Sequence, residues 1–180
     1  MRSSNWRTEL TYPKELVEWA ASRPEADFIT LWEENIDPNW LHHLAKAGGA
    51  TKQDITIAAC GVARLCLHLI PKEEIRPRIA IETAEAWARG EATEGQVIED
   101  STSAYIFINL AYSAASPSTY YAAQAAASSA TYSGSTVSYA ALAGIESQLI
   151  CHTYRKHLVF ERPPRPKVLT FWQHLAKEEE

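Results

Sequence analysis

The sequence predicts an all-α fold: a single compact bundle of about seven to eight helices, with Ala/Ser-rich central helices and a C-terminal extension. Three observations carry this. Apolar residues recur at spacings of three and four, and no strand-type alternation rises above that pattern. Helix start and stop signals punctuate the chain at intervals suited to short helices. Residues 101–150 hold one charged side chain, Glu146, among 13 Ala, 11 Ser and 6 Tyr. Small side chains of that kind let helix axes approach toward the short end of the usual range.

The elements follow in order. Tyr12-Pro13 opens a helix that turns Leu16, Val17, Trp19 and Ala20 inward, and Arg23-Pro24 closes it. Asp27 is placed to cap a second helix bearing Phe28, Leu31 and Trp32. Asp37-Pro38 gives an N-cap followed by Pro at the first helical position, and that helix stops at Gly48-Gly49. Thr51 and Asp54 form a capping box with a short acid. The long helix they open repeats Ile55, Ala59, Val62, Cys66 and Leu69 before Pro71. Arg76-Pro77 starts the next helix, Trp87 anchors it in the core and Gly90 ends it. Along it, Glu85 and Arg89 stand four apart in the favourable order.

Thr93 and Gln96 form a second capping box. Its helix, with Val97, Ile98, Tyr105, Ile106, Phe107, Ile108 and Leu110, is apolar all round and is expected to be ringed by neighbours. Ser116-Pro117 restarts the chain for an Ala/Ser helix through Tyr132, and Gly134 marks a kink or break. Beyond it, Ala140, Ala143, Ser147, Ile150, Tyr154 and Leu158 line up as one helical stripe. The domain is expected to span residues 1–160. Over 161–180, a stiff Arg162–Pro166 linker leads to a short amphipathic helix with Val168, Phe171, Trp172 and Leu175.

Composition excludes several functions. Residues 1–100 carry 17 acids against 11 bases, whereas 151–180 carry 6 bases against 4 acids. The acidic front half argues against nucleic acid, whose phosphates need a basic footprint, and it suits a basic protein partner. No stretch is apolar enough for a membrane span, which needs about 20 residues. The first six residues hold no apolar run of secretory type, and three cysteines form no disulfide framework. A reduced, cytoplasmic setting follows as the expectation.

Catalytic constellations fail on spacing. Cys60, Cys66 and His68 share a helix but diverge around it, so they do not converge on a metal. His42 and His43 are adjacent, so they occupy different faces and are expected at the surface or a cap. No nucleophile elbow, P-loop, dinucleotide fingerprint or zincin motif occurs. The chain is expected to use no cofactor and to catalyse nothing. The candidate binding residues are the acids Glu33, Glu34, Asp37, Glu73 and Glu74, the isolated Glu146, and Tyr120 and Tyr121 as aromatic anchors. Arg155, Lys156 and His157 form a cationic helix end suited to its own macrodipole.

Two strings carry a resemblance. Asp54–Arg64, with Ala58-Ala59-Cys60 and Ala63-Arg64, precedes Arg76-Pro-Arg-Ile-Ala-Ile-Glu-Thr-Ala-Glu-Ala-Trp87-Ala-Arg-Gly90-Glu91, and an Ala-rich helical half follows. This order resembles the immunity proteins of bacterial polymorphic toxin systems, in the group described as immunity-five-like. The likeness covers roughly residues 37–158, and the string from Arg76 to Glu91 is its most specific part. Ser and Tyr stand in the Ala-rich half where the family pattern has more Ala, His and Arg. Within the string, Arg76, Pro77, Trp87 and Gly90 are architectural. The resemblance implies a protein that binds and occludes a cognate toxin domain, as monomer or homodimer. A non-catalytic scaffold or regulatory module is the competing class, separable by its failure to rescue cells from the toxin.

Overall fold

The computed structural model describes residues 12–23, 25–111, 116–129 and 135–158, with the backbone alone for residues 110 and 111. Among them are nine α-helices, one 3₁₀ turn and no strand. The helices are α1 (Lys14–Ala21), α2 (Phe28–Glu34), α3 (Pro38–Ala47), α4 (Lys52–Cys66), α5 (Arg76–Ala88), α6 (Glu94–Ala111), α7 (Pro117–Ser129), α8 (Ser135–Leu142) and α9 (Ser147–Lys156). The 3₁₀ turn, Leu67–Leu69, follows α4. The all-α expectation holds. The kink or break expected at Gly134 and the linker and helix expected over 161–180 lie outside the described residues.

Local signals set most boundaries. Asp27 accepts the Thr30 amide at 2.7 Å, and Asp37 accepts the Asn39 amide at 2.9 Å with Pro38 at the first helical position. Thr51 and Asp54 exchange both capping-box bonds, and Thr93 and Gln96 do the same. Gly90, at φ 80°, closes α5 as expected. Gly144 does the same for α8 at φ 95°, where the Gly144 amide reaches Ala141 O and the Ile145 amide reaches Ala140 O. That pair of bonds needs a left-handed residue and ends the helix. The stripe from Ala140 to Leu158 is therefore split between α8 and α9 and is not one rod.

Packing places α4 and α7 at the centre. Helix α4 lies against α5, α7, α8 and α9, while α7 lies against α4, α5, α6 and α8. On α7, Ala122, Ala123, Ala125, Ala126, Ala127, Ser128 and Ser129 are all buried. Its buried positions thus present only methyl and hydroxymethyl groups to the four helices around it. The two buried hydroxyls of α7 are satisfied nearby: Ser129 donates to Ala126 O at 2.7 Å, and Ser128 meets the Tyr105 hydroxyl at 3.3 Å. Burying such groups unpaired would cost about 1–3 kcal/mol each.

Two expectations are corrected by this arrangement. Among the described residues, helix α6 is not ringed by neighbours; its main contacts are α5 and α7. Val97, Ser101, Ala104 and Ile108 are buried on one side, while Ile98 and Ile106 face outward. The place inside the bundle goes to the thinner α7. Glu85 also does not pair with Arg89. Arg64 of α4 grips both Glu85 carboxylate oxygens, at 2.8 and 2.7 Å, and Arg89 pairs with Glu91. A bidentate fork across adjacent helices outcompetes a single contact along one helix.

The front end is tied on by an interaction far apart in sequence. Arg155 of α9 donates to Trp32 O at 2.8 Å and to Asn35 O, and its guanidinium stands 5.9 Å from the Trp32 ring centre. It thereby caps the last carbonyls of α2 and does more than meet the dipole of its own helix. Asn35, fully buried, bridges α2 to α3 by donating to Asp37 O and accepting the Asp37 amide, both at 3.0 Å. Close to that end, the His157 ring lies over Gly61 of α4, where an added Cβ would stand 2.6 Å from His157 Nε2.

Candidate partner-binding surface

The acids are separated by the fold into two places. Glu33, Glu34 and Asp37 gather at the α2–α3 junction. Glu34 is paired there with Arg23 at 3.4 Å, and an Asp37 oxygen serves the α3 cap. Glu33 is exposed and influences Arg155, opposing the drop that burial imposes on that guanidinium. Glu73 and Glu74 sit on the loop before α5, a helix that packs on α4, α6 and α7. Glu73 is exposed. Glu74 receives Arg76 through its Nε at 2.6 Å and its backbone amide at 3.1 Å. Those bonds hold the Glu74 carboxyl below the usual range. Glu146, isolated in sequence, is exposed at the start of α9 and makes no capping bond there.

Tyr120 and Tyr121 are half-buried between α7 and α8. Tyr121 lies 5.3 Å from Tyr120 and stacks on Tyr139 at 6.4 Å, and Gln124 donates to the Tyr120 hydroxyl at 3.0 Å. All three rings pack against the main core. Packing therefore claims one side of each ring and leaves part of the other side open.

Pro77 is buried in the first turn of α5, and Trp87 packs beside Cys60, Ala63, Ile81, Ala84, Val97 and Ala126. Arg76 adds a contact that no local signal announces: its guanidinium lies 5.5 Å from the Phe107 ring centre, joining the start of α5 to α6. Cys60 and Cys66 are buried and donate to Ile81 O and Val62 O, while exposed His68 contacts Leu65 O at 2.8 Å. Burial pushes both thiols up to about 12. That is the inert regime for a thiol.

His42 and His43 depart from expectation. His42 is buried on the inner side of α3 with Leu41, Leu44 and Ala45, and His43 is half-buried against Tyr12, ring centres 5.9 Å apart. Helix α3 is packed on α8 and α9. Burial, then Lys46 and His43, lowers the His42 imidazole to about 3.

Sequence reasoning overlooked the outer side of α6, because a helix apolar all round suggested burial. Ile98 is 60% exposed and Ile106 52% exposed. Thr102 lies between them and donates its hydroxyl to Ile98 O at 2.7 Å. The same helix carries Glu94, Glu99 and Asp100 with no Lys or Arg. Among the described residues, no helix is long and apolar enough to cross a membrane, and no group of three or more His, Cys, Asp or Glu is placed to hold a metal ion.

Compared with family models, curated proteins and solved structures, the chain matches none of them.

Proposed function

We propose that this chain is a toxin-neutralising immunity protein that binds a cationic toxin domain in the cytoplasm and occludes its working surface. The observation that carries this reading is a rigid bundle with carboxylates left available on its outside. Glu33, Glu73, Glu82, Glu99 and Glu146 are exposed and make no ion pair among the described residues. Such a surface draws a basic partner by steered encounter, and a preformed scaffold spends little ordering entropy on binding. The string from Arg76 to Glu91 supports the same reading through its resemblance. Neutralisation on this reading is stoichiometric and needs neither a cofactor nor a catalytic group.

Cell survival tests it. The chain is co-expressed with the product of the adjacent reading frame, under conditions in which that product expressed alone is first scored for growth arrest. Rescue by the chain is the expected result. A scaffold or regulatory module would leave the arrest unchanged, and that outcome would remove the proposal.

A further inference from the structure

We infer that the outer side of α6, formed by Ile98, Thr102 and Ile106 and bordered by Glu94 and Glu99, is the docking site for a cationic protein surface; this rests on the toxin-binding reading above. The three residues stand at i, i+4 and i+8, so they form one stripe about 12 Å long. Both isoleucines are more than half exposed. The Thr102 hydroxyl is satisfied by its own helix at Ile98 O, so the middle of the stripe makes no polar demand on a partner. The other large exposed hydrophobics, Ile36, Ile75, Leu142 and Leu149, lie one each on separate helices or connections. Among the described residues, α6 alone lines two along one side.

The stripe is held rigidly. Thr83 of α5 donates to Asp100, Tyr105 meets Ser128 of α7, and Arg76 lies over Phe107. These contacts fix the helix from its inner flanks and leave the outer side as a preformed ridge. A preformed apolar ridge with a charged border has the anatomy of an interface centre and rim.

Charge decides the occupant. Helix α6 carries three acids, Glu94, Glu99 and Asp100, and no base. Asp100 is engaged by Thr83, while Glu99 is exposed and makes no ion pair among the described residues. A partner with apolar groups set among Lys or Arg complements this border. A second copy of the chain would bring acids toward acids and gain nothing from the field.

The experiment uses the full chain and the purified product of the adjacent reading frame, made harmless by an inactivating substitution. Binding is measured for the wild type, for Ile98→Lys/Ile106→Lys and for Glu99→Lys, with thermal melting and helicity as fold controls. The milder Ile98→Ser/Ile106→Ser variant serves if the lysine pair melts early. The stripe variants are expected to bind at least about tenfold more weakly at unchanged melting temperature. Glu99→Lys is expected to lose more affinity at low salt than at high salt. Wild-type binding with stripe variants that bind equally well would overturn the α6 site and leave the function standing. No binding by the wild type would overturn the function itself. A wild-type homodimer that the same substitutions dissociate would assign the stripe to a second copy and also overturn the site.

Discussion

Arg155 joins parts of the chain 120 residues and more apart, and its two carbonyl partners explain why α2 can end where it does. Replacing it by Ala leaves Trp32 O and Asn35 O without that donor and removes the cation beside the Trp32 ring. Arg155→Ala is expected to lower stability by about 1–3 kcal/mol in a urea titration. Arg155→Lys should recover less than half of the loss, because an ammonium cannot serve two carbonyls in a planar fork. His42 sets a second residue-scale behaviour. Its folded form stays neutral down to about 3, whereas the unfolded imidazole gains a proton near 6.5. Between these values the unfolded state binds more protons, so stability is fully present above about 6.5 and falls as the pH drops toward 3. The slope approaches about 1.4 kcal/mol per pH unit, and urea titrations across that window should show His42→Leu flattening it. Neither residue was legible in the sequence. Arg155 sits in a basic run that suits its own helix end, and His42 is polar on a short helix whose main packing partners, α8 and α9, lie far along the chain.

At the scale of elements, the boundaries were legible and the arrangement was partly so. Asp27, Asp37-Pro38, the two capping boxes and Gly90 act within three or four residues, so spacing alone places them. Gly144 was readable in principle but was masked by a stripe that continues in phase across the turn. The positions of α6 and α7 could not be read from bulk. A large apolar side chain gains from burial, yet α7, packed against four other helices, fills its buried positions with Ala and Ser. This makes α7 intolerant of volume. Ala126 is fully buried beside Cys60 and Ile81. Ala126→Leu should cost about 1–3 kcal/mol or more by overpacking, read as a lower urea midpoint at unchanged helical content.

Across the whole molecule, an acid-bearing exterior surrounds a core that offers little chemistry. The uneven charge was legible from counts alone. The sorting of acids was not. Glu34, Glu74 and Glu85 look like Glu33, Glu73 and Glu82 in sequence, but the first three are taken by Arg23, Arg76 and Arg64. Glu74 is held by Arg76 two residues further on, whereas Arg64 and Arg23 reach Glu85 and Glu34 only because the chain folds back on itself. The same reason hid the stripe on α6, whose exposure follows from having neighbours mainly on α5 and α7.

Stoichiometric occlusion and enzymatic inactivation differ most directly in a titration. The active product of the adjacent reading frame is held at a concentration well above its affinity for this chain, and its remaining activity is followed as the chain is added. The account predicts a linear fall that ends at a fixed molar ratio and does not deepen with incubation time. Complete loss at a small fraction of that ratio, or full activity at a large excess, would contradict it.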